Sequence, residues 1–157
     1  MPVQVQNGQG VPVQGALVRR VAERALRALG MSGAELSIVL VDDARMRALN
    51  RRYRRQDRTT DVLAFPQVDG RSPMVMPVLL GDVVVSVETV VRRVGPAPRR
   101  LHGELVRSLC HGLLHLAGWD HHTGSARRQM RGRERALWKT VWGDRHSGRV
   151  SDTRSRA

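Results

Sequence analysis

The chain has a single cysteine, Cys110. One thiol closes no disulfide within the chain, which excludes a disulfide-stapled secreted scaffold and fits a reducing compartment. Aromatic residues are almost as sparse: Trp119, Trp138, Trp142, Tyr53 and Phe65 are all of them. The core must therefore be filled by Leu, Val, Ala and Met, and 157 residues can bury such a core as one domain without staples. No run of about 18 apolar residues occurs, so no membrane span is expected. Residues 1–10 lack the charged start and apolar run of a secretory signal, and the expected location is the cytoplasm.

Lysine is the other scarcity. Lys139 is the only lysine among 27 basic side chains, the rest are arginine, and 14 acidic residues leave a net charge of +13. Guanidinium groups are planar and fork onto phosphate oxygens. Charge of this sign and size favours a polyanionic partner through counterion release. A general arginine bias would give the same count, so charge by itself names no partner.

The hydrophobic pattern predicts an edge strand over residues 2–6 and a helix over 15–30, with Leu17, Val21, Ala25 and Leu29 at helical spacing and Gly30 as its stop. Residues 35–41 read as a strand. Asp42 or Asp43 then caps a helix over 43–54 that places Met46, Leu49 and Tyr53 on one face. A short strand over 61–66 ends at Pro66, and residues 67–76 read as a loop. Residues 78–87 form a strand buried on both faces and interrupted at Gly81-Asp82. A short helix runs to Arg93, and Gly95-Pro96-Ala97-Pro98 breaks the chain. Leu101, Leu105, Leu109, Leu113 and Leu116 mark a helix over 99–117 that Gly118 ends. A last helix covers 124–142, with Met130, Leu137, Val141 and Trp142 facing the core. The expected class is α+β (mixed α/β): one compact domain over residues 1–143, a small mixed sheet of about four strands packed with about five helices. Residues 144–157 read as a disordered basic tail.

The chemistry concentrates in His111-Gly112-Leu113-Leu114-His115-Leu116-Ala117-Gly118-Trp119-Asp120-His121. Histidines four apart on a helix share a face one turn apart, which lets two imidazole nitrogens reach one ion. Gly118 permits a backbone reversal that returns His121 as third ligand. His122 is a competing third ligand. Three protein ligands leave a coordination position open, the pattern of a catalytic zinc site, so one Zn2+ at His111, His115 and His121 is the expectation. The spacing matches the metzincin pattern at its histidines and glycine, but the glutamate that would act as peptidase base is replaced by Gly112. Asp120 either orients a ligand histidine from behind or caps the turn. Cys110, one residue off the ligand face, reads as core.

At these residues the chain resembles the YbeY family of endoribonucleases, ribosomal RNA maturation factors. The resemblance extends to Leu49-Asn50-Arg51-Arg52-Tyr53-Arg54, to Thr60-Asp61-Val62-Leu63-Ala64-Phe65-Pro66 and to Leu80-Gly81-Asp82, in the family's order across residues 35–142. Ala64 departs from it, standing where the family usually has serine. The resemblance implies a compact α/β fold, one zinc ion, and cleavage of single-stranded RNA in small-subunit ribosomal RNA 3′-end maturation and ribosome quality control. It also implies the small ribosomal subunit and its assembly factors as partners, and makes Arg54 the functionally important arginine.

Metal-assisted phosphodiester hydrolysis follows as the expected chemistry, with Arg54 stabilising charge on the phosphorane. Seven arginines stand within residues 45–58, and of these Arg51, Arg52, Arg55 and Arg58 are expected beside Arg54 along the RNA backbone. Tyr53 could stack on a base, but its spacing with Met46 and Leu49 favours core packing. Two other readings remain: a zinc metalloprotease with metzincin-like histidine spacing, and a non-catalytic ribosome assembly factor whose metal is structural.

Overall fold

In Glu35–Val41, Leu36, Ile38 and Leu40 alternate with Ser37, Val39 and Val41, which sends one set of side chains to each side of a strand. The computed structural model describes residues 2–67, 79–119 and 122–143. In it this segment, β2, is one of two central strands in a four-stranded sheet. The others are β1 (Val3–Asn7), β3 (Val62–Pro66) and β4 (Leu79–Ser86), and the order is β1-β2-β4-β3. β1 pairs with β2 and β2 with β4 in parallel, while β3 runs antiparallel to β4 at the edge. Five helices complete the mixed α/β domain: α1 (Gly15–Ala28), α2 (Asp43–Arg54), α3 (Val87–Val94), α4 (Pro98–Leu116) and α5 (Gly124–Trp138). The expected loop beyond Gln67, to residue 76, and the expected tail, residues 144–157, lie outside the described residues.

The alternation on the strands sorts the helices between two faces. Leu36, Ile38, Leu40, Val83 and Val85 pack with Val21, Ala22, Ala25 and Leu26 of α1 and with Leu101, Leu105, Leu109 and Leu113 of α4. On the other face Val41, Leu63 and Val84 pack with Met46 of α2, rimmed by Val39, Leu49 and Phe65. Thus α1 and α4 cover one side, and the twelve residues of α2 cover part of the other.

Several boundaries have identifiable causes. Asp42, not Asp43, caps α2: its side chain accepts the Arg45 N–H at 2.8 Å. Asp43 turns instead to the end of the sheet, where one oxygen accepts from Ser86 Oγ at 2.7 Å and Thr89 Oγ1 at 2.6 Å and the other meets Arg92. α1 starts with no side-chain cap of its own. The N–H of Gln14 is met at 3.0 Å by Nε2 of buried His102 from α4, and Nδ1 of the same ring donates to Pro98 O at 2.6 Å.

Three sequence expectations need correction. The Gly81-Asp82 step does not interrupt its strand. Glu35 pairs with Leu79 and Leu36 with Gly81, so Leu80 is an extra residue and the strand continues through a bulge. Gly81 takes φ +135, and a Cβ there would lie 2.1 Å from Phe65 O, so no side chain fits. The last helix is not continuous to residue 142: α5 ends at Trp138 and the chain widens into a π-helical turn, Lys139–Gly143, that still buries Val141 and Trp142. Tyr53 does not join the core with Met46. It is 56% exposed and meets Phe65 edge to face at 5.2 Å.

Candidate metal centre

The leucines of α4 face the sheet, which leaves His111 and His115 half-buried on the helix flank. Their rings lie 4.7 Å apart at 72°, and the two Nε2 atoms converge to 3.1 Å. Two nitrogens each about 2.0–2.1 Å from one ion, at a roughly tetrahedral angle, stand about 3.3 Å apart. The pair therefore fits two ligands of a single zinc. His121 and Asp120 lie outside the described residues, and among the described residues no cluster of three metal-binding side chains forms. His122 is exposed.

The turn after the histidine helix is built as expected from Gly118. The Trp119 N–H bonds to Leu114 O at 3.0 Å and the Gly118 N–H to His115 O at 3.0 Å, with Gly118 at φ +97. This is a Schellman closure, which consumes the last carbonyls and reverses the chain directly after His115. Arg133 of α5 lies over the Trp119 ring at 4.7 Å and holds the turn against that helix.

The carboxylate behind the histidines comes from α5. Glu134 Oε1 lies 3.2 Å from His111 Nδ1, an arrangement that leaves His111 Nε2 facing His115. A carboxylate on the far nitrogen fixes the tautomer and orientation of a ligating imidazole. Glu134 was not apparent from the histidine motif, which offered only Asp120 for this place. A signal did exist: Glu134 lies four residues after Met130 and three before Leu137, both buried, so it shares their helix face. An acidic side chain on the buried face of a helix calls for a partner.

Gly112 explains the absent peptidase base. A Cβ at this position would lie 2.7 Å from Val83 Cγ1 and 3.3 Å from Val62 Cγ2. Position 112 is where α4 touches the sheet, and a glutamate there would run into strands β3 and β4. Cys110 is buried, as expected. Its thiol is pushed up to about 12, first by burial and then by the nearby Glu134 charge, against a smaller opposing effect of Arg107, so it is a neutral core group.

Arg51, Arg52, Arg54 and Arg55 are exposed along α2 and its left-handed cap, and Arg58 is exposed on the turn beyond. Met46 of α2 packs on the sheet face opposite α4, and edge strand β3 touches both sides through Val62 and Leu63. Buried Asn50 shapes the turn: its Nδ2 donates to Arg58 O at 2.8 Å, and its carbonyl accepts the Gln56 N–H at 3.3 Å. Arg58 bonds Gln56, Arg47 forks onto Asp57 at 2.8 and 3.1 Å, and Arg52 lies 5.3 Å from the Tyr53 ring centre. The structure thus brings two predicted metal ligands together and sets the predicted RNA-binding arginines on α2 and the turn after it. Ala64 alternates with Leu63 and Phe65 and so points to the α4 side, where the family serine would place its hydroxyl.

Residues 5–141 match the family described as Endoribonuclease YbeY. A protein of that name from Anaeromyxobacter dehalogenans is 48% identical over 122 residues, covering 76% of this chain and 62% of that protein. Another from Myxococcus xanthus is 42% identical over 151 residues, 96% of this chain and 49% of its own length. A third, from Geobacter metallireducens, is 37% identical over 129 residues, 81% of this chain and 86% of that protein. The chain thus spans between about half and two thirds of the first two relatives. The solution structure of a Thermotoga maritima protein, 24% identical, matches with a TM-score of 0.61 over 99% of both chains and shares the fold.

Proposed function

The chain belongs to the YbeY endoribonuclease family, and from that premise we propose that it is a single-strand-specific, zinc-dependent endoribonuclease. Its proposed task is maturation of the 3′ end of small-subunit ribosomal RNA, together with ribosome quality control, in the cytoplasm. Its proposed partners are single-stranded ribosomal RNA, the small subunit and its assembly factors. The observation that carries zinc dependence is the His111–His115 pair, with Nε2 atoms 3.1 Å apart.

His111, His115 and His121 would hold one zinc ion. When bound, it would supply Lewis acidity at a phosphoryl oxygen. Glu134 stands 3.2 Å from His111 Nδ1 and would keep the other ring nitrogen turned toward the ion. Asp120 would orient a ligand from the turn. Arg54 would meet charge on the phosphate, and Arg51, Arg52, Arg55 and Arg58 would hold the strand through its backbone oxygens. Gly112 withholds the base of a peptidase, which favours RNA over protein as substrate.

Metal analysis of freshly purified protein, coupled to cleavage of single-stranded RNA with and without chelator, tests this reading. Stoichiometric zinc, chelator-sensitive cleavage and an inactive His115→Ala protein are expected. Cleavage that survives in His115→Ala would defeat the catalytic metal, and casein hydrolysis would reinstate the protease. The product ends identify the nucleophile: a 2′,3′-cyclic phosphate reports the RNA 2′-hydroxyl, a 5′-phosphate reports water.

A further inference from the structure

The sheet face that α2 covers only in part holds a groove of about 510 Å³, walled by Arg45, Leu49 and Tyr53 of α2 and floored by side chains including Val39, Phe65 and Asp82. The chain has one tyrosine and one phenylalanine, and both face this groove rather than the main core. Their T-shaped contact leaves Tyr53 56% exposed. Exposing the larger part of an aromatic ring forgoes burial energy that a core position would provide.

We propose that this groove is a base-binding subsite, in which an unpaired nucleobase of single-stranded RNA stacks on Tyr53 against Phe65 while Arg45 and Arg52 take the flanking phosphates. The inference rests on the endoribonuclease reading and adds to it a place for the strand away from the histidines. Three observations favour this occupant. An aromatic face on which a base can stack, with arginine beside it, is how single strands are held without sequence readout. Arginine flanks it: Arg45 lines the groove, where Asp82 is the one acidic side chain of the lining, Arg52 lies 5.3 Å from the Tyr53 ring centre, and Arg47 is committed to Asp57. The location is also suitable. Strand β3, last in the sheet order, contributes Phe65 to the groove and Val62 to the contact under Gly112, so a strand crossing β3 passes from the groove to the histidine side.

The test uses the full chain with zinc and a single-stranded hexaribonucleotide bearing 2′-O-methyl sugars, followed by fluorescence anisotropy. Tyr53→Ala should weaken binding about 5- to 150-fold, and Tyr53→Trp should restore it. The dependence of affinity on salt should stay unchanged in Tyr53→Ala and become shallower in Arg52→Ala, because only the arginine releases counterions. As the chain has one tyrosine, fluorotyrosine labelling gives one ¹⁹F resonance, which should shift when the oligonucleotide is added to otherwise unaltered protein. An unmoved resonance together with wild-type affinity in Tyr53→Ala overturns the proposal, as does absence of any binding by wild type. If Tyr53→Ala instead abolishes self-association of wild type and leaves RNA affinity intact, the groove belongs to a second copy of the chain. Binding that depends on Tyr53 in a protein that cuts no RNA upholds the subsite and rejects the nuclease reading.

Discussion

Glu134 of α5 stands 3.2 Å from His111 of α4, on the ring nitrogen opposite the one that faces His115. Two helices thereby share one imidazole. Glu134→Gln keeps the shape and removes the charge that favours the correct tautomer. Zinc affinity, measured by competition with a chromogenic chelator, should fall about 10- to 100-fold, with little change in melting temperature of the metal-free protein. Unchanged affinity would remove Glu134 from the centre.

Arg54 separates a nuclease from a non-catalytic assembly factor. Arg54→Glu should lower cleavage of single-stranded RNA about 100- to 1,000-fold and leave zinc content unaltered, since Arg54 is not one of the three proposed ligands. Full activity in this variant would show that Arg54 does not act on the phosphate.

The histidine helix was legible in the sequence because its signals are local. Leucines at 101, 105, 109 and 113 define its buried side, and Gly118 closes it. The four strands and five helices could likewise be read from apolar period and breakers. What escaped depends on how distant segments meet. Tyr53 continues the spacing of Met46 and Leu49, but no local pattern says that it borders an open groove beside Phe65. Glu134 lies 23 positions beyond His111 in the sequence, and only the docking of α5 on α4 makes them neighbours. Gly112 reads in the sequence as a missing base, whereas its cause, the contact with Val83 and Val62, exists only in the packed structure.

That contact gives a stability prediction. Gly112→Ala places a methyl group against Val83 and should destabilise the fold by about 1–3 kcal/mol in chemical denaturation, the usual range for overpacking. Gly112→Glu should cost more and confer no peptidase activity. A stable Gly112→Glu protein that digests casein would contradict the steric account.

Asp43 sets an acid limit. Burial raises its carboxyl pKa, but the hydrogen bonds from Arg92, Thr89 and Ser86, aided by the Arg92 charge, outweigh this and hold it near about 2 instead of 3.8. A carboxylate held below its unfolded value stabilises the native state above pH 3.8, and that contribution is lost as pH falls through about 2. Asp43→Asn should lower stability at neutral pH by about 1–3 kcal/mol and flatten the loss between these two values, as followed by thermal melts across pH. Parallel profiles for variant and wild type would exclude Asp43 as the source.

His102 carries a consequence for how the chain is made. The first helix has no cap within its own neighbourhood, and the group that accepts its leading N–H arrives 88 residues later. During synthesis α1 emerges from the ribosome with that N–H open to water, and it acquires its native start only when α4 has followed and docked. The beginning of the protein is thus finished by its second half, so a nascent chain halted before residue 102 should carry a frayed first helix however long it waits.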